Sequence, residues 1–210
     1  MAEFTALLDG YRRFRTESYS RQRERYDELM QGQSPKTMII ACSDSRVDPT
    51  IVFDAAPGEM FVVRNVANLV PPCETGGGRH GVSAALEFAV TQLQVEDVVV
   101  MGHGACGGIH ASLTGAFDGA DHGEGGFIAS WMSMIAPARD EVRASGHANG
   151  QLALEYAAIR LSLGNLLTFP FVKARVDTGE LTLRGAHFAI ADGLLRVMDP
   201  ATGTFSPAEV

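Results

Sequence analysis

The spacing of apolar residues changes character several times along the chain. Phe4, Leu7, Leu8, Tyr11 and Phe14 recur at three- and four-residue intervals, which predicts an amphipathic helix. A second helical stretch covers RQRERYDELM, and Gln33-Ser34-Pro35 ends it. Thr37 to Ala41 is then a short hydrophobic run, as is DVVVMG at 97–102, while EMFVVRNVAN at 59–68 runs from apolar residues into a polar loop. Short unbroken apolar runs predict parallel strands covered on both faces. Val82, Ala85, Leu86, Ala89 and Leu93 form a further helical stripe between two of them.

Beyond residue 126, FIASWMSMIAPARDEVRAS and QLALEYAAIRLSLGNLL predict helices. ELTLRGAHFAI and LLRVMD flank Ala191-Asp192-Gly193, a turn that predicts a hairpin at the sheet edge. The expected fold is α/β: a mostly parallel central sheet flanked by helices, with an antiparallel edge strand near the C-terminus and N-terminal helical arms. No repeat or linker interrupts it, so a single domain is expected over 1–210, with 1–34 as the arm.

Composition narrows the classes. A chain of 210 residues, 46% hydrophobic, suits one sizeable core. A formal net charge of -8 argues against nucleic acid as a partner. No run reaches the ~18 apolar residues of a membrane span, and no basic-then-apolar leader opens the chain, so a cytoplasmic protein with reduced thiols and no membrane partner is expected. Cys42, Cys73 and Cys106 are too few, and odd in number, for a disulfide framework.

Two loops carry the candidate chemistry. ACSDSR (41–46) follows one expected strand, and HGACGG (103–108) follows another. Ligands of open parallel sheets sit beyond the carboxyl ends of the strands. If these strands are neighbours, Cys42, His103 and Cys106 meet there. Two thiols and an imidazole are ligand types that zinc favours, and three protein ligands leave one position open. Asp44 is then either a fourth ligand or an acceptor beside the open position, and Arg46 can hold it in a bidentate pair. Gly102, Gly104, Gly107 and Gly108 let the backbone turn and approach closely.

CSDSR followed about sixty residues later by GHGACGG resembles the β-class carbonic anhydrases, closest to the plant-type branch. PGEMFVVRNVAN, NLLTFPFV and LRGAHFAIADG add to the resemblance, which spans nearly the whole chain. It implies zinc-dependent, reversible hydration of carbon dioxide to bicarbonate and a proton, with one Zn2+ per subunit. Cys42, His103 and Cys106 match the metal ligands, and Asp44 and Arg46 the catalytic dyad. Gln33, Phe61, Val66, Phe88 and Gly107 match the substrate-binding set, with Gln33 reaching across a dimer interface. Phe88 stands where a tyrosine is common. A homodimer is implied, with tetramers or octamers built from it.

The resemblance also bears on regulation. One branch of the family has a second, inhibitory bicarbonate site, whose positions here are Ile39, Arg64 and Phe188. Only the arginine is retained, so cooperative bicarbonate inhibition is not expected.

Two other readings stand beside this one: a carbonyl sulfide or carbon disulfide hydrolase on the same scaffold, and a non-catalytic zinc-binding regulatory protein. The intact Asp44 and Arg46 argue against the latter. Cys73 reads as a bystander thiol, and His80, His110, His122, His147 and His187 as surface or satisfied core residues. Gly76 to Gly78 lacks the lysine of a phosphate loop. Trp131, Met132 and Met134 read as packing, and RRFR at 12–15 as a solvated or dimer-facing helix side.

Overall fold

The computed structural model describes residues 4–76, 78–121 and 126–209; His122 and Gly77 lie outside them. Six strands form one sheet: β1 (Thr37–Cys42), β2 (Met60–Asn65), β3 (Asp97–His103), β4 (Thr182–Ala189), β5 (Leu194–Met198) and β6 (Phe205–Pro207). Their order is β2-β1-β3-β4-β5-β6. β1 pairs parallel to both β2 and β3, and β3 parallel to β4. β4 with β5, and β5 with β6, are antiparallel. The expected hairpin is present. The short β6 was not anticipated, because Phe205–Pro207 offers too few residues for an alternation to show.

The alternation of β1 sorts its side chains between two clusters. Met38 and Ile40 join Val98 and Val100 of β3, and they pack against Leu86 and Val90 of one helical segment and Ile159, Leu163 and Leu166 of another. Ile39 and Ala41 face the other way, with Met101 and Ala186. That second cluster is smaller, and the partly buried residues against it are Val52, Met60, Val99 and Leu195. The long helices therefore crowd one face rather than covering both alike.

Two glycines permit this. A Cβ on Gly102 would come 2.8 Å from Ile159 Cδ1, and one on Gly185 3.0 Å from Ile159 Cγ2. The helix Gly150–Leu166 lies against β3 and β4 because both strands lack a side chain there.

The N-terminal segment behaves differently. Its helices, Phe4–Arg13, Tyr19–Arg21 and Arg23–Leu29, and the π-helical turn Phe14–Ser18 bury no residue. Phe4 is 72% exposed and Leu7 61%. Phe14, Tyr19 and Tyr26 pack on one another, with Tyr19 and Tyr26 ring centroids 4.8 Å apart. Arg25 ties the segment to the loop before β2 by donating to the Pro57 carbonyl and pairing with Glu59. No helix among the described residues is long and apolar enough to cross a membrane.

Candidate metal centre

The chain passes from β1 to β2 on one side and later returns to place β3 on the other side of β1. The crevice beyond the β1 and β3 carboxyl ends is thus a topological switch point. Cys42 ends β1 and His103 ends β3. Cys106 follows after one tight turn, in which Ala105 has φ 53°, and it caps the helix Gly107–Thr114. One ligand atom each of Cys42, His103 and Cys106 lies within 4.8 Å of the others, and all three residues are buried.

The donor set is prepared for a cation. His103 is 1% exposed. Its Nδ1 sits 2.9 Å from the Gly104 carbonyl, which fixes the proton on Nδ1 and leaves the lone pair on Nε2. Nε2 is buried and has no hydrogen-bond partner. Such an orphaned acceptor between two thiols is costly unless something binds it. The Cys42 and Cys106 sulfurs are 4.0 Å apart. The hydrogen bond from Cys106 favours a thiolate on Cys42 and pushes its pKa down to about 4, against the cost of burial. Backbone N–H groups of Asp44 and Ala67 assist. That same bond, with burial, pushes Cys106 up, so the pair sheds one proton readily and retains the other. Burial pulls His103 down, but the charge of the neighbouring Cys42 thiolate and the Gly104 carbonyl on Nδ1 outweigh it and the ring ends raised. A soft cation at the centre would displace the remaining thiol proton.

Asp44 stands beside this group. Its Oδ1 accepts from the Arg46 backbone N–H (3.0 Å) and Nε (2.9 Å), and its Oδ2 from Arg46 Nη2 (2.6 Å). Arg46 is itself fixed by donating to the Ala105 carbonyl, 3.1 Å away. Asp44 Oδ2 thereby rests 4.0 Å from His103 Nε2. The hydrogen bonds from Arg46 hold the Asp44 carboxyl well below the usual carboxylate range.

The wall opposite comes from Val66–Asn68, a turn in which Ala67 and Asn68 adopt left-handed backbone (φ 62° and 50°). Asn65 stabilises it, with its side chain donating to the Leu69 carbonyl and accepting from the Leu69 N–H. A Cβ on Gly108 would come 2.7 Å from Val66 Cγ1, so this glycine lets the helix start press against the wall. Val66 and Gly107 therefore flank the metal group.

The other expected substrate residues do not. Phe61 pairs with Met38 at the opposite end of β1, four positions from the Cys42–Asn65 pair, or about 13 Å along the strand. Phe88 lies 5.8 Å from Phe61, ring to ring. Gln33 is exposed, four residues before β1 begins. Within one chain Phe61 and Phe88 form a separate pair, and Gln33 precedes the end of β1 that lies far from Cys42.

Several residues take roles at the site that the sequence did not assign to them, and Gln151 and Glu155 were not singled out at all. Arg64 on β2 donates to the carbonyls of Cys42 and Asp44 and pairs with Asp48. Trp131 packs as expected but also donates its indole N–H to the Val66 carbonyl at 2.8 Å. Glu155, Gln151 and His187 lie behind Cys106. A lone glutamate inside the apolar run QLALEYAAIRL was the available signal for Glu155. Cys73 is a free, half-buried thiol against the main core.

The fold and site define an α/β enzyme class with a thiol–imidazole metal centre at the switch point of its sheet. Residues 37–195 match the family model described as carbonic anhydrase. The chain is 38% identical over 192 residues to beta carbonic anhydrase 3 of Arabidopsis thaliana, covering 89% of this chain and 73% of that protein. Among solved structures it superposes on the β-carbonic anhydrase CcaA with a TM-score of 0.88 at 27% identity, covering 99% of this chain and 92% of that one. The Coccomyxa β-carbonic anhydrase in complex with acetazolamide matches with a TM-score of 0.77 at 27% identity, over 94% and 86%. The chain belongs to the β-carbonic anhydrase family and is an enzyme of that family.

Proposed function

We propose that the chain catalyses reversible hydration of carbon dioxide to bicarbonate and a proton, with one zinc ion per subunit held by Cys42, His103 and Cys106. The observation that carries this reading is the buried Cys-His-Cys group with an unpartnered His103 Nε2, next to an Asp44 clamped by Arg46. Zinc, when bound, supplies a nucleophile at neutral pH by lowering the pKa of water from 15.7 to roughly 7.

The residues divide the remaining work. An ionised carboxylate only accepts hydrogen bonds, so Asp44 fixes the O–H direction of the attacking water and leaves its lone pair for carbon. Arg46 keeps Asp44 off the metal group by occupying both of its oxygens. Val66 and Gly107, beside the metal group, would line the approach of a linear, weakly polar substrate. The released proton leaves through solvent or buffer.

Gln33, Phe61 and Phe88 lie too far from Cys42 to serve their own site, so in this reading they complete that of a partner. The exposed stripe of the arm supports a homodimer in which residues 1–34 of each chain pack on the other; tetramers or octamers would be assembled from it. Residues 1–210 then form one domain with that arm, and the free thiols fit a cytoplasmic location.

Stopped-flow assays on purified protein, with metal content measured, test this reading. The expected result is one zinc per subunit and hydration of carbon dioxide in preference to hydrolysis of carbonyl sulfide or carbon disulfide. Turnover of either sulfur compound without carbon dioxide hydration would assign the alternative substrate.

A further inference from the structure

Behind the metal group, away from Asp44, lies a buried polar cluster that the proposed chemistry does not use. Glu155 is 3% exposed and His187 1%. Glu155 Oε1 accepts from the backbone N–H of Cys106 (3.1 Å) and from Gln151 Nε2 (2.8 Å), and Oε2 lies 3.0 Å from His187 Nε2. The acceptor carboxylate places the His187 proton on Nε2. Gln151 Nε2 also donates to the Cys106 carbonyl at 3.1 Å. Gln151 and Glu155 stand one turn apart on Gly150–Leu166, so one helix face holds both the N–H and the C=O of Cys106.

A buried carboxylate is costly to desolvate unless its lone pairs are filled. Here three donors converge on it. A packing role alone would be met by an apolar residue of similar volume. A carboxylate at this place instead holds the Cys106 peptide, and with it the direction of its Cα–Cβ bond and sulfur.

We propose that Glu155, braced by Gln151 and His187, is a positioning residue that fixes the Cys106 sulfur in its ligating direction before metal arrives. This rests on the reading of Cys42, His103 and Cys106 as a zinc site. Removing the acceptor leaves the Cys106 N–H without a partner and frees the turn at Ala105, whose left-handed backbone already carries strain. Glu155→Met keeps the approximate shape without the acceptor. Glu155→Gln keeps an oxygen for Cys106 and Gln151, and its amide can donate to His187 once that ring moves its proton to Nδ1, which has no partner of its own.

The test is zinc affinity measured by chelator competition, together with the thiolate-to-metal charge-transfer spectrum of the cobalt(II)-loaded protein and the melting of the metal-free form. Glu155→Met is expected to weaken zinc binding about 10- to 100-fold and to alter the cobalt spectrum. Glu155→Gln is expected to restore affinity to within about threefold of the parent. Equal affinity in the parent and Glu155→Met overturns the positioning role, as does an equal loss in both variants. If Glu155→Met does not fold, Gln151→Met must weaken zinc binding in the same direction by a smaller factor, and unchanged affinity there overturns the proposal. A parent that binds no zinc at all would instead overturn the metal reading.

Discussion

Arg64 reaches from β2 across to the carbonyl of Asp44, 2.6 Å from its Nη2, and fixes the loop that carries the candidate catalytic carboxylate. The same guanidinium donates to the Cys42 carbonyl at 2.9 Å and to Asp48 Oδ2 at 2.7 Å. All three contacts are internal, so the side chain acts on this chain's own fold.

That commitment predicts the regulatory behaviour. An inhibitory bicarbonate near Arg64 would have to compete with Cys42, Asp44 and Asp48 for its donors. Ile39 is buried among Ala41, Met101 and Ala186, an apolar environment that offers an anion nothing. Activity is expected to fall only hyperbolically with added bicarbonate, as product inhibition requires, and a steep cooperative loss in initial rates would contradict this. Arg64→Met should lower stability by about 2–4 kcal/mol, because charged donors to partly buried acceptors are lost. Urea unfolding of the metal-free protein measures it.

The Asp44–Arg46 pair separates metal binding from turnover. Asp44→Asn preserves shape but puts a donor where only an acceptor serves. It should bind zinc like the parent while hydration falls by about 10²-fold or more. Arg46→Ala should release Asp44 toward the metal group, from which Oδ2 is only 4.0 Å at His103 Nε2, and slow hydration as well. A zinc-loaded Asp44→Asn protein with parental rates across the pH range would remove Asp44 from the mechanism.

Acid titration checks the same pair in the metal-free protein. Hydrogen bonds from Arg46 lower the Asp44 pKa in the folded state below its ordinary 3.8. A depressed folded pKa adds stability above the unfolded value, and that stability is lost as pH falls through the folded value. The stability gap between parent and Asp44→Asn should therefore be wide near pH 6 and narrower near pH 3, read from urea unfolding at both. A constant gap would mean that the pair contributes nothing through ionisation. Asp48 and Asp192 are also depressed, but they are present in both proteins and cancel.

What the sequence revealed, and what it hid, follows from the range of the forces involved. Apolar runs at 37–41 and 97–102 marked β1 and β3 because buried parallel strands need continuous apolar residues, and this alone brought Cys42 and His103 together. Pattern could not say that Phe61 faces away from Cys42 along β1–β2, because register is set by pairing with another strand. The helix Pro170–Asp177 was missed, since PFVKARVD has little amphipathic period and forms after a proline at its first position. His187 looked like any scattered histidine, because its partner Glu155 is 32 residues away and only the fold joins them.

The separation of Gln33 from Cys42 gives the last prediction its form. If Gln33 serves the partner's site, each active centre combines Asp44 of one chain with Gln33 of the other. Deleting residues 1–34 should yield a smaller species by sedimentation that still binds zinc, since Cys42, His103 and Cys106 all belong to the sheet and its following turn. Hydration by that species should fall. Gln33→Leu should leave assembly and zinc intact and lower kcat/KM roughly five- to tenfold, the worth of one hydrogen bond to substrate. Hybrids of Gln33→Leu and Asp44→Asn chains then distinguish the two geometries. With sites shared across the interface, one centre of each hybrid carries both defects and the other carries neither, so hybrids should exceed the mean of the two parental variants several-fold. With sites confined to single chains, each hybrid has one centre of each defective kind, and its activity equals that mean. Refolding tagged mixtures, isolating the hybrid and measuring hydration decides between them.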